Sequence, residues 1–220
     1  MTDKSLPGII FDMDGTLWDS AENVAKSWST VTINYPGIEK ELTVKDVQSV
    51  MGLTMDNIAA NLFPQLTKEQ QLDALEKCCK VENEYLRIHG GVLYDGVEEV
   101  FIELLKKYRL FIVSNCQAGY IEAFLDHYGL WKYIEDIECF GNNKKPKGEN
   151  IRLVCERNGL EEAVYIGDIQ GDYDSSMQAG TGFIHAAYGF GKINTDVPAI
   201  KSIRELPEEA DKYFEKKKTE

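Results

Sequence analysis

The sequence predicts an α/β fold: a parallel sheet covered by helices on both faces and interrupted by a helical insert. Three observations predict it. Five short apolar runs have the length and continuous apolarity of strands buried on both sides: "GIIF" ending before Asp12, "LFIVS" ending at Ser114, "IECF" at 137–140, "AVYIG" ending before Asp168, and "GFIHA" at 182–186. Amphipathic helical patterns separate the last four. Between the first run and the second lie almost a hundred residues rich in helix signals, roughly eight times what a crossover needs.

After "GIIF" comes the long insert, whose first helix is expected to open on a capping box of Asp19 and Glu22 before Val24, Trp28 and Val31. "TVKDVQSVMG" carries Val44, Val47, Val50 and Met51 and ends at Gly52, and "TMDNIAANLFP" stops at Pro64. The last insert helix opens on a second capping box, Thr67 with Gln70, and runs to Gly90. Residues 18–90 are therefore read as a helical insert with its own small core, sitting over the end of the first strand, and residues 1–17 and 91–220 as the sheet domain. "VEEVFIELLKKY" places Val97, Val100, Phe101, Leu104 and Leu105 on one face ahead of the second strand. "GYIEAFLDHYG" groups Ile121, Phe124, Leu125 and Tyr128 and stops at Gly129, and "ENIRLVCERNG" groups Ile151, Val154 and Cys155 before Gly159. "YDSSMQAG" is a short helix closed by Gly180, and the terminal "EKKKTE" reads as a solvated, fraying tail.

The chain has 220 residues and a formal charge of −13. That balance argues against a general nucleic-acid binder, which needs a basic stripe, but leaves room for a local pocket that holds a small phosphorylated ligand. No stretch approaches the roughly 20 apolar residues of a membrane span. The N-terminal "MTDKSLPGIIFDMDG" lacks the apolar core of a signal peptide, and cytoplasmic location is expected. The five cysteines are odd in number and form no C-x-x-C, so neither a disulfide framework nor a zinc site is indicated. Cys116 lies just past a strand end, yet no paired base would make it a nucleophile. His89, His127 and His185 have no partners at ligand spacing and read as structural.

Ligands in open parallel sheets bind outside the carboxyl ends of the strands, so the residues just past each run are the informative ones. The first run ends in Asp12, Asp14, Gly15 and Thr16; the second delivers Ser114 and Asn115. The third leads into "GNNKKPKGEN" with Lys144, Lys145 and Lys147, and the fourth into "GDIQGD" with Asp168 and Asp172. Taken alone, Asp14-Gly15 is an ordinary turn, and Asp168 or Asp172 an ordinary helix cap. Brought to one edge, four carboxylates would raise one another's pKa unless a cation offsets them. Mg²⁺ suits an all-oxygen shell completed by waters and a phosphate. A serine hydroxyl, the Lys145 ammonium and the backbone N–H groups of Gly15, Thr16 and Asn115 complement a phosphoryl group. Asp12 would then attack phosphorus and form an aspartyl-phosphate. Asp14 would protonate the departing alcohol and later take a proton from the hydrolytic water.

"DMDGTLWDS", "VSN", "KKPKGENI" and "GDIQGD", in this order, resemble the four motifs of the haloacid dehalogenase superfamily. The position of the insert resembles the C1-capped branch, which holds phosphoglycolate phosphatase-like and β-phosphoglucomutase-like proteins. The resemblance implies a Rossmann-like sheet of order 5-4-1-2-3, counting the five runs. It implies Asp12 as nucleophile and metal ligand, and Asp14 as acid/base that also offers its backbone carbonyl to the metal. It further implies Ser114, Asn115 and Lys145 at the phosphate, Asp168 on Mg²⁺ and Asp172 behind it. Two departures stand out. "KPKG" replaces the frequent "KPxP", so that Lys145 fits best but Lys144 or Lys147 could serve, and Ile169 stands where a hydroxyl residue is common.

The resulting expectation is a Mg²⁺-dependent phosphatase for a small phosphorylated metabolite, phosphoglycolate-like or a sugar phosphate, acting as monomer or homodimer. Dehalogenases lack an acid/base at the place of Asp14, which favours phosphate esters. A phosphomutase is the alternative, although mutases tend to read Glu-Asp where this chain reads Gly167-Asp168. A non-enzymatic binding protein on the same fold is a third reading, for which Asp14 would have no use. Substrate choice is expected to fall to insert residues in the stretches 19–28 and 51–54.

Overall fold

A computed structural model describes residues 3–217. Strand β1 (Gly8–Phe11) leads to a tight loop and the short β2 (Trp18–Asp19). The insert comes next as α1 (Ala21–Thr32), α2 (Val44–Gln48), α3 (Met55–Leu62) and α4 (Lys68–His89). The chain returns through β3 (Val92–Leu93), which pairs antiparallel with β2, so the two connections to the insert form one ribbon. Then come α5 (Val97–Leu104), β4 (Arg109–Ser114), α6 (Tyr120–Tyr128), β5 (Asp136–Cys139), α7 (Phe140–Asn143) and α8 (Lys147–Asn158). The last elements are β6 (Ala163–Gly167), α9 (Gln170–Ala179), β7 (Gly182–Ala186), β8 (Ala199–Ile200) and α10 (Leu206–Lys217).

The parallel sheet has the order β5-β4-β1-β6-β7-β8. This corrects the expected 5-4-1-2-3 in two respects. The ribbon strands β2 and β3 fall between the first and second sheet strands in chain order, and a sixth strand, β8, extends the edge beyond β7. Two residues of β8 are too few to show a strand's periodicity, so the sequence carried no sign of it.

Alternation along the central strands explains why the runs are continuously apolar. Ile9, Phe11, Leu110, Ile112, Val164 and Ile166 point to one face, and Ile10, Phe111, Val113 and Tyr165 to the other. A strand covered on both sides has no position left for a polar residue. The first face does not stop at the sheet domain. Its apolar cluster continues through Trp18 into Val24, Trp28, Leu75 and Leu86 of the insert. The expectation of a separate small core in the insert is thereby corrected. Trp18, at the start of the insert, belongs to this cluster and packs edge-on against Tyr120, Phe124 and Tyr128 of the sheet domain.

Helix boundaries differ locally. The Thr67–Gln70 capping box forms, but the one expected at Asp19 and Glu22 does not; Ser20 is the N-cap, and Asp19 accepts only from the Ala21 N–H. α2 ends at Gln48, short of Gly52. α8 and α9 begin earlier than their apolar patterns, at Lys147 and Gln170, which draws site residues into their first turns. The chain expected to fray is helical through Lys217, and the rest of that stretch, 218–220, lies outside the described residues. No helix among the described residues is long and apolar enough to cross a membrane.

Candidate active site

Parallel pairing of β1 with β4 and β6 brings Asp12, Ser114 and Asp168 to the same sheet edge. Asp12 is held there by its N–H, which donates to Ile166 O at 2.9 Å. Carboxylate oxygens of Asp12, Asp168 and Asp172 all lie within 4.8 Å of one another, and all three residues are buried. Gly15 makes this approach possible. Its φ of +81° suits glycine, and a Cβ there would overlap the Asp168 carboxylate.

The lysine at this cluster is Lys147. Its Nζ donates to Asp12 Oδ1 at 2.9 Å and to Asp172 Oδ1 at 2.6 Å. Lys144 and Lys145 are exposed, so the structure brings Lys147, not the expected Lys145, to the carboxylates. The cause is the turn: Lys144 takes a left-handed φ of 60°, and Pro146 leads into a helix whose first residue is Lys147. Side chains in a first turn lean back toward the helix N-terminus, which here faces the strand ends. Burial alone would lower the Lys147 ammonium, but the adjacent Asp12 and Asp172 carboxylates raise it above its ordinary value.

Asp172 also accepts from the N–H groups of Asp168 and Ile169, at 3.0 and 3.2 Å, and so ties the start of α9 to the lysine. Burial pushes its carboxyl up against the pull of Lys147. Burial, with the charges of Asp172 and Asp12, pushes Asp168 up to about 8. The Phe190 N–H donates to Asp168 Oδ2 at 2.7 Å, so the "YGFG" stretch at 188–191 packs directly onto the site. Carboxylates crowded in this way fit a hard divalent cation: the donor set is all oxygen, and the mutual repulsion is what such an ion removes.

Asp14 stands apart from the cluster. Ser20 Oγ donates to its Oδ1 at 2.7 Å, and Tyr120 Oη lies 2.8 and 2.9 Å from its two oxygens. Burial raises the Asp14 carboxyl to about 7, with these hydroxyls pulling the other way. A carboxyl poised near neutrality is suited both to give and to take a proton. Ser20 and Tyr120 escaped the sequence reading; Tyr120 lies 106 residues from Asp14 and shows no local signal.

Ser114 is buried at the end of β4 and lines a cleft with Asp14. Asn115 is turned differently from the phosphate-facing expectation. Its side-chain amide donates to Gly52 O of the insert at 3.0 Å, while its Oδ1 is buried without a partner. Ile169, the departure from a hydroxyl residue, reaches the same glycine: a Cβ on Gly52 would overlap its Cδ1. Both residues join the insert to the sheet edge. Cys116 is raised well above its ordinary value by burial, in keeping with an unreactive thiol.

An aspartate cluster with a buried lysine lies at the carboxyl ends of the parallel strands, in an arrangement that fits an enzyme of the phosphatase class. Its sequence is matched from residue 9 to residue 186 by the family of haloacid dehalogenase-like hydrolases, and the chain belongs to that family. Its relatives fall in the phosphoglycolate phosphatase-like branch. A phosphoglycolate phosphatase of Vibrio vulnificus is 26% identical over 206 residues, covering 86% of this chain and 87% of that protein. The pyrophosphatase PpaX of Bacillus velezensis is 28% identical over 189 residues, covering 82% and 83%. A solved haloacid dehalogenase-like hydrolase of Streptococcus pneumoniae shares the fold, with a TM-score of 0.76 and 21% identity over 96% of this chain and 100% of that one.

Proposed function

We propose that this chain is a Mg²⁺-dependent phosphatase that hydrolyses a small phosphorylated metabolite through an aspartyl-phosphate on Asp12. The observation that carries the reading is the division of the carboxylates. Asp12, Asp168 and Asp172 cluster together with Lys147 on Asp12 and Asp172, whereas Asp14 is held separately by two hydroxyls near a neutral pKa.

Asp12 and Asp168, with Asp172 beside them and the Asp14 carbonyl, are the residues that would hold Mg²⁺. When bound, the ion neutralises the carboxylates and draws charge from the phosphoryl oxygens. An oxygen of Asp12 forms a bond to phosphorus as the bond to the ester oxygen breaks, and Asp14 gives its proton to the departing alcohol. Water then attacks phosphorus, its proton passes to Asp14, and the Asp12–phosphorus bond breaks to release inorganic phosphate. Ser114, the amide N–H groups near it and Lys147 steady the phosphoryl oxygens, Asn115 contributing through its backbone. Residues 18–90 act as a cap over a catalytic core of 1–17 and 91–220, and closing the cap excludes bulk water.

The names of the relatives support phosphate chemistry and differ in substrate, so the class carries over and no single metabolite does. The test is release of inorganic phosphate from p-nitrophenyl phosphate. Turnover is expected with Mg²⁺, lost on chelation and abolished in Asp12→Asn. Activity that requires a sugar bisphosphate primer would instead identify a phosphomutase, and full activity in Asp12→Asn would overturn the assignment.

A further inference from the structure

Asp14 sits in a closed triangle of oxygens. Ser20 Oγ donates to Asp14 Oδ1 at 2.7 Å, Tyr120 Oη lies 2.8 Å from Oδ1 and 2.9 Å from Oδ2, and the two hydroxyls are 2.8 Å apart. Oδ1 therefore meets two hydroxyls and Oδ2 only one. Tyr120 is 2% exposed, and its ring stands edge-on to Trp18 with centroids 5.6 Å apart. It is the first residue of α6, and the loop before it is fastened to α4. Gln117 Nε2 donates to Asn83 Oδ1 at 2.9 Å, and Asn83 Nδ2 donates to Ala118 O at 2.8 Å. The phenol hydroxyl is thus fixed in place by its ring and its backbone. A buried tyrosine hydroxyl needs one partner, yet this one spans both carboxylate oxygens and a serine. Ser20 adds a second sign. A serine at a helix N-cap ordinarily accepts from an N–H of the first turn. Ser20 holds that position on α1 and caps nothing, because its hydroxyl goes to Asp14. Local rules give way in this manner where function sets the residue.

We propose that Tyr120 is a positioning residue for Asp14, holding its carboxyl in one orientation and leaving Oδ2 to exchange the proton. The inference rests on the phosphatase reading and deepens it. In the first half-reaction the O–H bond on Oδ2 breaks as one forms on the departing ester oxygen. In the second, the water that bonds to phosphorus returns a proton to Oδ2. A hydroxyl both donates and accepts, so the triangle survives both steps. When Asp14 is ionised, Ser20 and Tyr120 both donate to it. When Oδ2 carries the proton, the tyrosine proton turns to Ser20 Oγ, and Ser20 still donates to Oδ1. Phenylalanine would fill the same slot and offer neither contact. An acid held out of place costs rate where the leaving group needs a proton and little where it does not.

Three esters grade that need: propyl phosphate, phenyl phosphate and p-nitrophenyl phosphate, whose departing groups are successively weaker bases. They are compared by kcat/KM with Mg²⁺ present, which reports the steps up to release of the alcohol and not the later hydrolysis. Tyr120→Phe is expected to lower kcat/KM by about tenfold or more on propyl phosphate, by less on phenyl phosphate, and by no more than about threefold on p-nitrophenyl phosphate. A merely structural role for the hydroxyl would lower all three alike. Equal losses on the three esters, or no loss on any, would therefore contradict the assignment. Should Tyr120→Phe not fold, Ser20→Ala is read in its place. It removes the other hydroxyl of the triangle, so the same graded loss is expected, and an ungraded one counts against the triangle as a positioning device. Mg²⁺-dependent release by the native protein with an ungraded variant sinks the role of Tyr120 alone. No Mg²⁺-dependent release from any ester sinks the phosphatase reading and this inference together.

Discussion

Lys147 reaches Asp12 across 135 residues of chain, and nothing local distinguishes it from its neighbours Lys144 and Lys145. The sequence narrows the choice to three lysines in one loop. The selection among them is made by a left-handed residue and a proline, which decide where a helix begins and so which side chain leans toward the strand ends. The consequence can be measured. Lys147→Met is expected to lower kcat/KM on p-nitrophenyl phosphate by roughly 10²–10³, the scale of losing one charge-stabilising donor in a buried site. Lys145→Met, at an exposed position, is expected to stay within about twofold of the native enzyme. The reverse ranking would return the phosphate to Lys145. The aspartates were legible for a different reason: Asp12 and Asp168 lie just past recognisable strands and Asp172 in the first turn of the helix that follows one, so their destination is set by elements, not by a turn.

At the scale of the element, α4 shows both what a helical pattern reveals and where it went unread. Its buried positions are Ala74, Leu75, Cys78, Cys79, Glu82 and Leu86, a stripe at helical spacing. Glu82 sits in that stripe four residues after Cys78 and four before Leu86, so the sequence did contain the sign of a buried acid facing α1. The sign has a thermodynamic consequence. Glu82 has an ordinary pKa of 4.5 and is raised to about 8 in the folded chain, chiefly by burial. Between these values the folded chain keeps a proton that the unfolded chain has released. Stability from this group is therefore fully present below about 4.5 and declines as pH rises to about 8. Glu82→Gln does not titrate. Its melting temperature relative to the native protein is expected to rise from pH 5 to pH 8, the effect being at most about 1.4 kcal/mol per pH unit. A difference that is constant or falls with pH would show that the carboxyl ionises freely in the fold. The Asp19–Glu22 pair teaches the converse, for the spacing was there but Ser20 holds the N-cap position, and its hydroxyl donates to Asp14 instead of capping the helix.

Across the whole molecule, the sheet imports carboxylates from the ends of two neighbouring strands and one helix into a chain already carrying a net charge of −13. Burial and crowding raise Asp168 and Asp172, and on the proposed reading a bound cation would relieve the crowding, linking metal binding to stability. Magnesium at a hundredfold excess over its dissociation constant is expected to stabilise the native protein by about 2.7 kcal/mol, read as a rise in melting temperature over the same protein in chelator. Asp168→Asn is expected to lose most of that rise and, lacking one of the repelling charges, to melt no lower than the native protein when both are in chelator. An undiminished rise in the variant would place the cation elsewhere.

By itself the sequence determined the five long sheet strands, most of the helices, the place of the insert and the edge where the aspartates meet. These come from periodicity and turn chemistry, which act over a few residues and are written locally. Tertiary structure alone decided which lysine enters the cluster and that Tyr120 and Ser20 clasp Asp14. It alone decided that Asn115 and Ile169 grip Gly52, and that one apolar cluster runs through Trp18 from sheet to insert. Those contacts join residues far apart in the chain, and their geometry comes from how whole elements pack, which no window of neighbouring residues encodes.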